Sequence, residues 1–275
     1  MASSNTHRDL RVGSVPYLVG RPLDLGLELE PGIRYERRVP ARLVDGLRSG
    51  ELDVALVSSI ELFRQPGYRF LDGVAVSGAG FVGSVQVFLR KPIEAVRTLA
   101  LDPSSRAAAT LVRVLLAKQA VEFVEVAEGA DPRASACDAW LRIGDAALRE
   151  HHETAAPPVF NPSEEWARRT GLPFVFAVWI ARADAPLDGR LEAFARARER
   201  GRTAVEALAD EASRAWHLPR AACRRYLGEE CLYEPGAALA PALLAFRDAA
   251  AELGLCRADL APEGIELPLR PCHVA

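Results

Sequence analysis

The stretch Arg11-Val12-Gly13-Ser14-Val15-Pro16-Tyr17-Leu18-Val19-Gly20-Arg21-Pro22-Leu23 decides how the rest of the chain is read. An apolar β run enters a turn containing Gly20. Pro22 stands where a first helical residue belongs, because the N–H that proline lacks is not needed there. A strand that runs into a helix N-terminus aims backbone N–H groups and the positive end of a helix dipole at the turn, which predicts a site for a small carboxylate. The turn is therefore expected to be one wall of a pocket whose other walls come from later segments.

Working outward, Pro22–Leu29 predicts a short helix, Tyr35–Val39 a strand, and Ala41–Ser49 a helix with Leu43, Val44 and Leu47 on one face. Glu51–Val57 then becomes a buried strand ending at Ser58-Ser59. This β-α-β-α-β order is the repeat of a parallel sheet covered by helices. Between Gly67 and Lys91, glycines alternate with Val74, Val76, Val82, Val85 and Val87, which predicts long strands. The last of them, Ser84–Leu89, is expected to carry the chain out of a first lobe. A second α/β lobe follows: strand Thr98–Leu101, a capping turn at Asp102-Pro103-Ser104-Ser105, a helix over about 106–120, strands Glu122–Val126 and Ala139–Ile143, and helices Gly144–Glu150 and Glu164–Thr170. The apolar run Phe174–Ala181 is expected to be the return crossover. From Pro186 onward only helical patterns are visible, over Leu187–Arg200, Thr203–Trp216, Arg220–Leu227 and Ala237–Leu253. The expected fold is α/β with two lobes, 1–90 with 183–275 and 91–182, joined by two crossover strands around a central cleft that can close on a ligand.

The bulk properties narrow the function. A chain of 275 residues is comfortable for two lobes. A net charge of −3 with no basic stripe argues against a nucleic-acid partner. The cysteines, Cys137, Cys223, Cys231, Cys256 and Cys272, are odd in number and form no C-x-x-C pair, which points to idle thiols in a reducing compartment. Met1–His7 is polar with no apolar core, and no apolar run is long enough to cross a membrane, so no membrane partner and a cytoplasmic location are expected.

Four polar groups stand at positions where such a fold binds ligands. Ser104-Ser105 opens a helix and can hold a carboxylate or merely cap the helix. Ser58-Ser59 lies beyond the carboxyl end of a strand, where parallel sheets bind ligands. Ser84 begins a crossover strand and faces the cleft if its neighbours alternate inward. Asp145 follows Ile143-Gly144 and is either a helix cap or a polar cleft group. His151-His152 makes a poor metal pair, because adjacent helical residues point in different directions. Gly78, Gly80 and Gly83 have G-x-G-x-x-G spacing, but no helix follows the third glycine, so no dinucleotide is expected. No P-loop or G-x-S-x-G elbow is present, and neither a cofactor nor a metal is expected.

Taken together, Val12–Leu18 with Pro22-Leu23, Leu52–Glu61, Ser84–Phe88, Leu101–Arg106, Ile143–Leu148 and Trp166–Trp179 resemble, in collinear order, the chorismate dehydratase family of the futalosine route to menaquinone. The resemblance implies a type II periplasmic-binding-protein-like fold in a protein that is not exported. It also implies loss of water from chorismate to give 3-[(1-carboxyvinyl)oxy]benzoate, with the enolpyruvyl carboxylate of the substrate as base. Ser84 is then expected to orient the leaving hydroxyl or a carboxylate next to it. Tyr17, Val19, Ser58, Ser59, Ser104, Ser105, Arg106, Ala107, Ala108 and Asp145 are expected around the substrate. The chain departs from the family pattern at Val19, usually Asn, and at Ala107-Ala108, which replace two hydroxyl residues. Those departures keep open an alternative, a paralogue that binds an aromatic or cyclohexadiene carboxylate without turning it over.

Overall fold

The first strand and its successors pair as their apolar runs require. In the computed structural model, which describes residues 8–104 and 106–268, β1 (Leu10–Ser14) lies parallel to both β2 (Ile33–Arg37) and β3 (Val54–Ser58). Between them run the short helix α1 (Arg21–Asp24) and helix α2 (Pro40–Ser49). α2 buries Leu43, Val44 and Leu47 and ends at Gly50, whose φ of 77° suits glycine. β4 (Tyr68–Asp72) and β5 (Val76–Gly78) complete this half of the first sheet.

The chain then builds a second sheet from β6 (Val85–Leu89), β7 (Thr98–Leu101), β8 (Glu122–Glu125), β9 (Ala139–Ile143) and β10 (Val159–Phe160), in the order β10-β6-β9-β7-β8. Helices α3 (Ala107–Leu115), α4 (Gly144–His151) and α5 (Pro162–Thr170) belong to this part of the chain. β11 (Phe174–Arg182) returns to the first sheet, antiparallel to β3, β4 and β5. Helices α6 (Leu191–Thr203), α7 (Val205–Trp216), α8 (Arg220–Arg225) and α9 (Leu239–Ala251) follow. A last strand, β12 (Gly264–Glu266), pairs parallel with β4 and gives the first sheet the order β12-β4-β11-β3-β1-β2. Its three residues are too few for an alternating pattern to show, which is why only helices were visible after Pro186.

The sheets divide the chain at points other than 90/91 and 182/183. β6 is buried along its whole length between β9 and β10, and β11 lies between β3 and β4, so each apolar strand sits inside one sheet rather than spanning both. The crossings are the short links 79–84 and 171–173, which leave the first sheet side by side where Gly78 pairs with Phe174.

Helix α3 joins the lobes. Ala107, Leu111 and Leu115, four residues apart, belong to the large core of the first sheet, whereas Ala108, Val112 and Leu116 fill the core under the second. Successive positions on a helix lie about 100° apart, so a helix apolar on both of these stripes must be covered on two sides. Trp166 of α5 adds to the seam, edge-on to Phe174 and Phe246.

Candidate active site

The carboxyl ends of β1, β3 and β7, the ends at which open α/β sheets take ligands, converge on a cavity between the lobes. From the first lobe it is lined by Tyr17 and Val19 after β1, Ser58 at the end of β3, Ser77 on β5, and Phe176 and Ala177 on β11. From the second come Ser84, Val85, Ser104, Arg106, Ala107, Ala108, Ile143 and Gly144. Most of the wall is apolar. Hydroxyls and a single guanidinium supply its polarity, and no carboxylate or histidine is present among the described lining residues.

The two lobes touch at Tyr17. Gly144 has φ +65°, and a Cβ there would stand 3.2 Å from the Tyr17 ring, so glycine serves both the backbone conformation and the close approach. Burial raises the pKa of the Tyr17 phenol, and its charged neighbours include Asp102 and Asp145. Ser84 is buried on the opposite wall, and its carbonyl accepts the Gly144 N–H at 2.7 Å. The start of β6 and the end of β9 are thus held as one surface. The Ser58 hydroxyl is buried with no hydrogen-bond partner, which is costly unless something at the cavity satisfies it.

Arg106, just before α3, carries the positive charge of the cavity. Its guanidinium is 3.6 Å from Oε2 of the buried Glu61, whose other oxygen is held more tightly by Arg48 at 2.6 Å. One carboxylate therefore serves two guanidiniums, and the surroundings stay positive. Burial lowers the pKa of Arg64; Glu61 opposes this, and repulsion from Arg106 and Arg48 adds to it.

Three expectations need correction or relocation. Ser59 is turned away from the cavity and donates its hydroxyl to the Val175 carbonyl at 2.6 Å, fastening the turn after β3 to β11. Asp145 does not line the cavity. Its carboxylate accepts the Leu18 N–H at 3.1 Å across the lobes. The turn after β1 does hold a carboxylate, but here that anion is the chain's own. Burial pushes the Asp145 carboxyl up to about 6, against the opposing effects of the Leu18 N–H and Arg149. Ser105 lies outside the described residues.

Asp102, which the sequence marked only as part of a capping turn, shapes the same wall. It accepts the Ser104 N–H at 2.9 Å and the Ile143 N–H at 3.1 Å, which joins the ends of β7 and β9. Burial raises its pKa in spite of these bonds. Ser77 and Cys231 were not anticipated at the cavity. Ser77 sits in a three-residue strand, and Cys231 arrives from a region that reads only as helices, so neither carries a local signal. His151 packs against Phe81 while His152 binds the Leu148 carbonyl through Nδ1, so the two rings do not converge on a metal.

Comparison with known proteins agrees with this architecture. A family model described as menaquinone biosynthesis matches residues 10–252. A chorismate dehydratase of Thermus thermophilus is 34% identical over 224 residues, which cover 72% of this chain and 82% of that protein. Among solved structures, an Archaeoglobus fulgidus protein superposes with a TM-score of 0.72 at 18% identity, covering 91% of this chain and 99% of that one. The alkanesulfonate-binding protein of Xanthomonas axonopodis does so with a TM-score of 0.62 at 17% identity, covering 90% and 94%. At such identities these last two establish the fold alone, that of periplasmic binding proteins. No helix among the described residues is long and apolar enough to cross a membrane. The extent of the family match, and the identity shared with the Thermus protein over most of both chains, place this chain in the chorismate dehydratase family of menaquinone biosynthesis.

Proposed function

We propose that the protein is a chorismate dehydratase, a hydro-lyase that removes water from chorismate to give 3-[(1-carboxyvinyl)oxy]benzoate, and that it works in the cytoplasm as a biosynthetic enzyme. The observation that carries this is the make-up of the cavity: hydroxyls and one guanidinium in an apolar wall, with no carboxylate or imidazole to act as base among the described lining residues. Such a wall suits an elimination in which the substrate brings its own base.

In this scheme Arg106, Ser104 and the first turn of α3 take one substrate carboxylate, through charge and helix-terminal geometry. The ring lies against Val19, Val85 and Phe176. The enolpyruvyl carboxylate removes the C3 proton, and the electrons of that C–H bond form the new ring double bond. The C4–O bond breaks, and the oxygen leaves with the proton as water. Ser84 donates to the departing oxygen, whose negative charge grows as the bond lengthens, so the hydrogen bond strengthens in the transition state. Aromatisation drives the step, and the protein contributes positioning and electrostatics.

The test is incubation of purified protein with chorismate, with chromatographic detection of the aromatic ether. Product well above the spontaneous rearrangement of chorismate is expected, and Ser84→Ala should lower kcat by roughly 100-fold. Val19 presents an isopropyl group where the family usually has an amide, which is the observation favouring the second reading, a binding paralogue. Calorimetric binding of chorismate without any product would establish that alternative, and Val19→Asn should then restore turnover.

A further inference from the structure

Behind Ser84 lies a buried phenol that the proposed reaction leaves idle. Tyr226 is fully buried, at the point where α8 passes into a single wide turn over Tyr226–Glu230 with π-helical bonding. Insertions of this kind are rare and concentrate at functional sites. The turn is fastened to the crossing between the lobes. The Glu230 carboxylate accepts the Gly83 N–H at 2.8 Å, and Leu232 exchanges backbone hydrogen bonds with Ser77. Cys231, which follows the turn, lines the cavity.

The Tyr226 hydroxyl is buried with no hydrogen-bond partner in place. The polar side chains that bear on it are those of Cys231, Tyr233, Ser84 and Asp145, and among them Ser84 alone acts as a hydrogen-bonding group. Phenylalanine would fill the same space without an unpaired polar atom, so packing alone gives no reason for the hydroxyl. Burial keeps the phenol protonated and pushes the Cys231 thiol up to about 12, so both groups stay neutral and Tyr226 is a permanent donor. A serine hydroxyl has one proton to give and lone pairs that accept. Whichever neighbour occupies the lone pairs decides where the proton points.

We propose that Tyr226 is a positioning residue that donates its O–H to the Ser84 oxygen and so turns the Ser84 proton into the cavity, toward the departing oxygen of the substrate. This rests on the role given to Ser84 above. Catalytic hydrogen bonds are commonly misaligned before substrate is bound and tighten in the complex, in keeping with the incomplete geometry at the phenol.

Tyr226→Phe tests it. The expected result is a fall in kcat of roughly tenfold with KM changed less than about twofold, and a melting temperature no lower than that of the parent. In a Ser84→Ala background the same substitution should cause no further fall, because its effect passes through Ser84. An unchanged kcat, or losses that simply multiply, would overturn the proposal. A second measurement does not depend on turnover. With tyrosine labelled at Cζ by carbon-13, the Tyr226 resonance should move between the parent and Ser84→Ala, and an unmoved resonance would also overturn it. If the parent makes no aromatic ether, the assigned function fails, while the resonance comparison still decides whether the two hydroxyls interact.

Discussion

Ser58 and Ser59 are neighbours with opposite surroundings. The Ser58 hydroxyl is buried beside the cavity with nothing to bond, whereas the Ser59 hydroxyl is bound to the Val175 carbonyl. Ser58 is the last residue of β3 and Ser59 the first beyond it, and their adjacency in the chain cannot say which one turns inward. The backbone direction leaving β3 decides that. Ser59→Ala should lower stability by about 1–3 kcal/mol, the cost of stranding a buried acceptor, and leave kcat for chorismate unchanged. Urea denaturation paired with a turnover assay would separate this from Ser84→Ala, for which the opposite pattern is expected. A loss of turnover in Ser59→Ala without loss of stability would return Ser59 to the site.

Among elements, the contact of α1 with α6 sets how the first strand's turn is held. Pro22 marks the start of a helix in the sequence, as expected, but α1 is only Arg21–Asp24 and cannot stand alone. It is held by α6, whose Gly201 lies so close that a Cβ there would be 2.1 Å from the Pro22 carbonyl oxygen. Inside the arginine-rich run of α6 this glycine reads as a weak point in a helix, because the backbone it touches is far away in the chain. Gly201→Ala must push α1 from α6, and should cost about 1–3 kcal/mol or more. Thermal denaturation would check this, and an unchanged melting temperature would contradict the close crossing. Asp53 makes a comparable tie at the other end of β1. It accepts hydrogen bonds from Arg8, from the Arg11 side chain and from the Arg11 N–H. Burial alone would raise its pKa, but these bonds outweigh it and hold the carboxyl below its usual range.

Across the whole molecule, Asp145 makes the stability of the contact between the lobes depend on pH. Its pKa is about 6, against an ordinary value of 3.8, so between these values the native state holds a proton that the unfolded chain has released. Stability therefore falls as pH rises from about 4 to about 6 and is flat above that, by up to about 3 kcal/mol from this group. Asp145→Asn keeps an oxygen for the Leu18 N–H and removes the charge. It should be the more stable protein at pH 7.5, with the advantage gone at pH 4. Urea midpoints at the two pH values would show this, and an identical pH dependence in the two proteins would refute it. Asp102, whose pKa is also raised, titrates in both proteins and cancels from the difference.

The longer strands and helices as far as β11, the two-lobe plan and most of the segments that meet at the cavity were legible in the sequence, because hydrophobic periodicity and helix-start chemistry act over a few residues; the two- and three-residue strands β10 and β12 were not. Ser84 and Ser104, read at the start of a strand and of a helix, line the cavity, as does Arg106, which the family resemblance implied. The destinations of individual polar groups were not legible. The anion at the first turn is Asp145, 127 residues further along the chain from Leu18, and the phenol behind Ser84 comes from a turn with no local pattern of its own. Burial, pairing and the direction of a hydroxyl depend on which distant surfaces are pressed together, and that is decided only when α3, β11 and the C-terminal helices pack the two sheets into one molecule.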